Sequence, residues 1–169
     1  MAKGALEKAM DLLAIRPLTG AEVRSKLQAA NRYTKEEIAE AIDTCSARGY
    51  LNDELLAADA ARYLSSGGRG RGIIRKKLRA RGVDEELVTR AVEEITPEEE
   101  YDSAVSAAAG KMRLLTREKD MRKKREKLFR FLFSRGFPPS LCSRVVSEQL
   151  SCENSDEEWE ITSLPEESC

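Results

Sequence analysis

An all-α fold, an elongated tandem array of three-helix bundles in three repeats with a disordered acidic C-terminal tail, is predicted by three features of this sequence. The first is a helical phrase written three times. Glu22-Val-Arg-Ser-Lys-Leu27, Ile74-Arg-Lys-Lys-Leu78 and Leu128-Phe-Arg-Phe-Leu132 each set two large apolar residues four apart in a basic stretch. Each runs on to a turn residue, near Asn31, at Gly82 and at Gly136, and then to a second apolar series beginning at Ile38, Leu87 and Leu141. The period is roughly fifty residues, a range in which self-similarity marks an array of supersecondary units rather than one mixed core. The second feature is composition: 41% hydrophobic but only 5% aromatic, with 35% charged. That makes any core thin and aliphatic, as in small salt-bridge-laced bundles, and disfavours a β-sandwich. The third is a set of helix-start signatures, threonine followed three residues later by glutamate, at Thr19, Thr34 and Thr96.

The elements follow in order. Leu6, Met10, Leu13 and Ala14 form one apolar stripe that Arg16-Pro17 stops. Thr19 and Glu22 cap a second helix carrying Val23 and Leu27 inward, which frays near Asn31. Thr34 and Glu37 cap a third, with Ile38, Ala41, Ile42 and Cys45 on its buried side and Gly49 at its end. These make repeat one, residues 1–50. Asn52 or Asp53 caps the fourth helix, which carries Leu55, Leu56 and Ala60 and runs to about Leu64, where Ser65-Ser-Gly-Gly-Arg-Gly70 breaks it. The fifth holds Ile73, Ile74 and Leu78 and closes at Gly82; Asp84 caps the sixth, with Leu87, Ala91, Val92 and Ile95 facing in. This is repeat two, residues 51–96. Thr96-Pro-Glu-Glu99 starts repeat three, residues 97–150. An alanine-rich helix around Val105 and Ala109 leads to a long basic helix ending at Arg135. Gly136 and Pro138-Pro139 then force a turn before Leu141, Val145, Val146 and Leu150. Residues 151–169 are acidic around one Trp159, too poor in apolar groups to order themselves, and are expected to form a flexible tail. Each bundle alone is marginal in size, so the repeats are expected to lean on their neighbours.

A formal net charge of -1 conceals segregation. Basic residues crowd into 69–81 and 111–135, acidic ones into 93–100 and the tail. Basic stripes of this kind are a footprint for polyanions, although a solvated helix face accounts for many single clusters. The four cysteines include no Cys-x-x-Cys pair, and the chain has no histidine. A zinc site would lack most of its usual ligands, and no disulfide scaffold is evident. No secretory signal and no apolar run long enough to span a bilayer is present, so the reducing cytoplasm is the expected location.

Nothing in the residue pattern asks for catalysis or a cofactor. The usual neutral-pH proton carrier is missing, and the carboxylates and lysines sit at caps or exposed helix positions, so the chain is not read as an enzyme. Gly67-Gly-Arg-Gly-Arg-Gly72 superficially resembles a phosphate loop, but no strand precedes it and no Gly-Lys-Ser/Thr follows. It reads as a hinge whose Arg69 and Arg71 can meet a phosphate chain. Arg71, Arg75 and Arg79 fall four apart on one helix face with Lys76 beside them. Like charges so placed repel by a few tenths of a kcal/mol per pair, which an acidic partner would relieve. A soluble face shared with Glu85 accounts for them equally well. Arg122, Lys123, Lys124, Arg125 and Arg130 build a denser patch beside Phe129, Phe131, Phe133 and Phe137. Aromatics among cations can stack on exposed bases, but Phe129 and Phe133 share one face, so some of these rings belong to the core.

These residues resemble those of the RecX family of bacterial recombination regulators. The resemblance lies in Leu12-Leu-Ala-Ile-Arg-Pro-Leu-Thr19 with Glu22-Val and Lys26-Leu27, in Arg48-Gly-Tyr-Leu-Asn-Asp53, in Arg71-Gly-Ile-Ile-Arg-Lys-Lys-Leu78 to Arg81-Gly-Val, and in Phe131-Leu-Phe-Ser-Arg-Gly-Phe137. It covers about residues 5 to 150 and excludes the tail. It implies tandem three-helix bundles lying in the groove of the RecA filament on single-stranded DNA and restraining its ATP hydrolysis and strand exchange, in DNA repair and the SOS response. RecA and its nucleoprotein filament are the implied partners, with single- or double-stranded DNA a further one, and a monomer is expected. Leu55 and Leu56 stand where the family often has an aromatic. The alternative is a stand-alone helical DNA-binding module, since such units resemble helix-turn-helix domains. The scarcity of asparagine and glutamine on the basic helices argues against base-specific readout.

Overall fold

Capping chemistry decides where the helices begin in the computed structural model, which describes residues 4–161, with side chains to residue 151. Among the described residues the chain is helical throughout, with no strand: α1 (Ala5–Ile15), α2 (Gly20–Ala29), α3 (Lys35–Ala47), α4 (Asp53–Ser66), α5 (Arg71–Ala80), α6 (Glu85–Glu93), α7 (Pro97–Met112), α8 (Met121–Ser134) and α9 (Pro139–Ile161). The boxes at Thr19, Thr34 and Thr96 form as predicted, each hydroxyl accepting from the amide three residues on while the glutamate accepts the threonine N–H. At α4 the cap is Asn52, whose Oδ1 accepts the Leu55 amide at 2.9 Å. Asp53 is used elsewhere, accepting the Gly20 amide at 3.0 Å.

The turn residues of the repeated phrase share one backbone state. Asn31 (φ 52°), Gly82 (φ 73°) and Gly136 (φ 88°) are all left-handed, which lets each helix end and reverse. The alanine-rich and basic helices are separated by residues 113–120, and Asp120 caps α8 by accepting from the Arg122 amide at 2.9 Å. α9 continues past Leu150 to Ile161, so helical backbone enters the segment expected to be tail. Glutamate is a good helix former, so an acidic stretch does not by itself end a helix. The side chains from Cys152 onward, Trp159 included, and residues 162–169 altogether lie outside the described residues.

Three aliphatic clusters form. Ala5, Ala9, Leu18, Val23, Leu27, Ile38, Ala41, Ile42, Cys45 and Leu51 make the first; Ala57, Ala61, Ile74, Leu78, Val83, Val88, Ala91, Val92 and Ile95 the second. The third draws Ala104, Ala108 and Met112 from α7, Leu128 and Leu132 from α8, and Phe137, Cys142, Val145, Val146 and Leu150 around α9. Not every apolar residue singled out in the sequence is buried. Leu55 is 56% exposed, Met10 is exposed and Leu56 is half-buried, while Leu87 and Val105 are half-buried against their clusters. The seam positions of α1, α4 and α7 are instead the small pairs Ala5/Ala9, Ala57/Ala61 and Ala104/Ala108. Choosing the largest residue misplaces the stripe wherever two thin helices approach closely enough that only alanine fits.

By contacts the chain divides into two compact units, residues up to Leu64 with Ile74–Ile95, and Ser65–Ile73 with everything from Thr96. Within the first unit, Thr19 is fully buried, its hydroxyl accepting from the Glu22 amide and donating to the Arg81 carbonyl at 2.7 Å. Arg81 in turn donates to both Glu22 oxygens, 2.9 and 3.3 Å away, and to the Pro17 carbonyl at 3.1 Å. Burial alone would raise the Glu22 carboxyl. The Arg81 hydrogen bonds, the Thr19 amide and the charges of Arg81 and Arg16 outweigh it and hold the group below its ordinary value. Within the second unit, the glycine run read as a hinge is a close backbone contact. The Gly70 amide donates to the Arg135 carbonyl at 2.9 Å and the Gly72 amide to the Gly136 carbonyl at 3.1 Å. A Cβ at Gly70 would lie 2.5 Å from the Phe137 nitrogen, which leaves no room for any side chain.

Candidate partner-binding faces

On α5 the face expected from the spacing of four is only partly presented. Lys76 is exposed and Arg75 half-buried, and among the described residues neither has a carboxylate in ion-pair reach. Arg79 is exposed but committed to Glu85, its Nε donating to Oε2 at 2.7 Å. That hydrogen bonding raises the guanidinium and lowers the carboxyl. Arg71 is drawn away. Its Nε lies 3.3 Å from the carboxylate of Glu100, its own amide donates to the other oxygen of that carboxylate at 3.1 Å, and Glu100 is 7% exposed. A buried carboxylate needs a partner, and Arg71 is in that position.

On α8, Arg122, Lys123, Arg125 and Arg130 are exposed. Arg125 donates to the Ser147 hydroxyl at 3.3 Å, Lys123 lies 3.8 Å from Asp120, and Arg130 pairs with Glu126. Arg122 and Arg125 line a groove of about 440 Å³ with Phe129 and Val146 at its apolar side. Lys124 departs from the expected surface patch, being only 6% exposed. It falls four residues before Leu128 and eight before Leu132, on the same seam, so its stem continues the core. Phe129 and Phe133 share a face as their spacing suggests, but the fully buried ring is Phe137. Phe129 and Phe133 stack at 6.3 Å with planes 9° apart, and Phe133 is 55% exposed.

Arg69 is half-buried in the turn after α4, near enough to Arg135 for the two charges to oppose each other. Two features escaped the sequence reading: the buried Glu100, hidden as one more acid after a capping glutamate, and the cations over Phe131, Lys111 at 5.4 Å and Arg135 at 4.5 Å from its centroid. The Phe131 to Arg135 spacing of four was the available signal for the second. Among the described residues no cluster of metal-ligating groups occurs, and no helix is long and apolar enough to cross a membrane.

Fold and surface together define a tandem helical-repeat protein that presents cationic helix faces. Profiles of the RecX second and third three-helix domains match residues 52–92 and 98–146. Curated relatives named "Regulatory protein RecX" include one from Streptomyces lividans, 32% identical over 86% of this chain and 80% of its own length. Another, from Chromohalobacter salexigens, is 35% identical over 78% and 83% respectively. The chain belongs to the RecX family of regulatory proteins. It spans about three fifths of the relatives from Oceanobacillus iheyensis (30% identical over 96% of this chain) and Clostridium perfringens (34% over 76%). The crystal structure of RecX from Lactobacillus salivarius shares the fold, with a TM-score of 0.75 at 22% identity over 85% of this chain and 93% of that one.

Proposed function

We propose that this chain binds RecA filaments on single-stranded DNA and restrains their ATP hydrolysis and strand exchange. Family membership supports the reading. The observation that carries it is the presentation of Arg75 and Lys76 on α5, inside the segment matching the second RecX domain, with no carboxylate within ion-pair distance of either among the described residues, Glu85 feeling the charge of Arg75 only from farther off. Cations not tied into an ion pair on an ordered helix meet an acidic partner surface or a phosphate chain at little reorganisation cost. The α8 cations provide a second contact, and contacts linked in one molecule act at high effective concentration.

The test is a titration of RecA ATPase on single-stranded DNA with the parent protein and with Arg75→Glu/Lys76→Glu. The parent inhibits, and the double variant requires at least about tenfold more protein while keeping its helical circular dichroism. No inhibition by the parent overturns the function; equal inhibition by the variant removes this face from it. Direct contact with single-stranded DNA is a second reading, favoured by the exposed Phe133 stacked on Phe129 beside the α8 cations. Phe133→Ala then weakens binding to an oligo-dT strand, and a binding constant independent of salt would exclude phosphate contacts.

A further inference from the structure

In the second unit a cavity of about 420 Å³ opens between the end of α4, α7 and α8. Its charge is unbalanced. Lys111 and Arg135 line it, Arg69 adds its charge to Arg135, and no carboxylate is among the lining residues. The Arg135 guanidinium is steadied by donating to the Gly67 and Gly68 carbonyls at 3.3 and 3.1 Å. Gly68 has φ +71°, and a Cβ there would stand 3.1 Å from that guanidinium, so the site depends on a bare backbone at this point.

The rest of the lining mixes the apolar Ala107, Leu114 and Phe131 with Ser66, Ser106 and glycine backbone, and it is open. Leu114 at the rim is 76% exposed. Gly110 lies in the last turn of α7, and a Cβ there would meet nothing within 4 Å. Packing inside the chain does not require that glycine, and its missing side chain leaves room at the cavity. A nucleobase is a poorer fit, because it would have to compete with Lys111 and Arg135 for the Phe131 ring. A bare phosphate chain would make no use of Leu114.

We propose that this cavity is a carboxylate socket that takes an acidic peptide segment of a partner protein, an Asp or Glu side chain reaching Lys111 and Arg135 while a flanking leucine-like residue covers Leu114. The proposal goes beyond filament regulation and needs neither RecA nor DNA.

Anisotropy of a fluorescein-labelled Leu-Asp-Glu-Leu-Glu-Leu peptide titrated with the full chain tests it, beside an amidated Leu-Asn-Gln-Leu-Gln-Leu peptide and an oligo-dT strand. The acidic peptide binds and the amidated one does so at least about tenfold more weakly. Lys111→Gln weakens the acidic peptide about threefold to fivefold, the scale of a partly exposed charge pair. Leu114→Ser weakens it about fivefold through lost apolar contact. Gly110→Leu fills the cavity with a better helix former, so it abolishes binding without lowering the melting temperature. Absent binding, or equal binding by parent and Gly110→Leu, overturns the socket. Loss of oligo-dT binding alone in Gly110→Leu overturns it in favour of a nucleic-acid site.

Discussion

Replacing Arg71 with glutamine removes a cation that in sequence looks like part of a docking face, and the cost should appear in stability. Glu100 retains the Arg71 amide as a donor but loses the guanidinium 3.3 Å away. Breaking a fully buried pair costs about 3 to 5 kcal/mol and an exposed one about 0.2 to 1 kcal/mol. With side-chain exposures of 31% for Arg71 and 10% for Glu100, the pair lies between these limits, at about 2 kcal/mol. At about 2 to 4 °C per kcal/mol for a chain of this size, the melting transition falls by about 4 to 8 °C. Urea unfolding followed by circular dichroism reads the loss. A cycle with Glu100→Gln isolates the pair, because the double variant should cost distinctly less than the two single variants summed. Arg75→Gln is the control and stays within about 0.5 kcal/mol of the parent, as surface changes do. An Arg71→Gln protein as stable as the parent would refute the pairing argument and return Arg71 to the candidate contacts.

Two further outcomes follow from the same geometry. Gly70→Ala forces a methyl against the Phe137 nitrogen and strains the bonds from Gly70 to Arg135 and from Gly72 to Gly136; at about 1 kcal/mol per bond plus overpacking, it costs about 3 kcal/mol, read by the urea midpoint. Glu22 is held below its ordinary value of 4.5, so its ionic contribution is complete above about pH 4.5 and disappears as pH falls through the depressed value. Glu22→Gln should therefore flatten the acid limb of a stability-versus-pH curve below pH 4.5, and an unchanged limb would count against the Arg81 pairing.

What could be read in advance was local. A threonine and a glutamate three residues later define a cap without help from the rest of the chain, and Thr19, Thr34 and Thr96 all form one. Asn31, Gly82 and Gly136 announce reversals because few other residues tolerate positive φ. The misread features depend on partners distant in sequence. Nothing near Gly70 says that the Gly136 backbone will lie against it, so close contact looked like looseness. Nothing near Arg71 announces Glu100. Lys124 was placed by its charge, although its spacing from Leu128 and Leu132 already put it on the seam. Alanine seams are hard to see for the related reason that helix proximity, a tertiary quantity, decides whether a small or a large residue is buried.

The buried hydroxyl of Thr19 joins what the repeat pattern separates. It starts a helix of the first bundle and also holds the carbonyl that ends a helix of the second, with Arg81 closing the loop onto Glu22. An excised first bundle would therefore keep its own cap, with Glu22 still accepting the Thr19 amide, yet lose the Arg81 carbonyl and guanidinium that the hydroxyl and the carboxylate meet in the whole chain. A fragment cut at the repeat boundary should thus be less stable than the same residues within the whole chain.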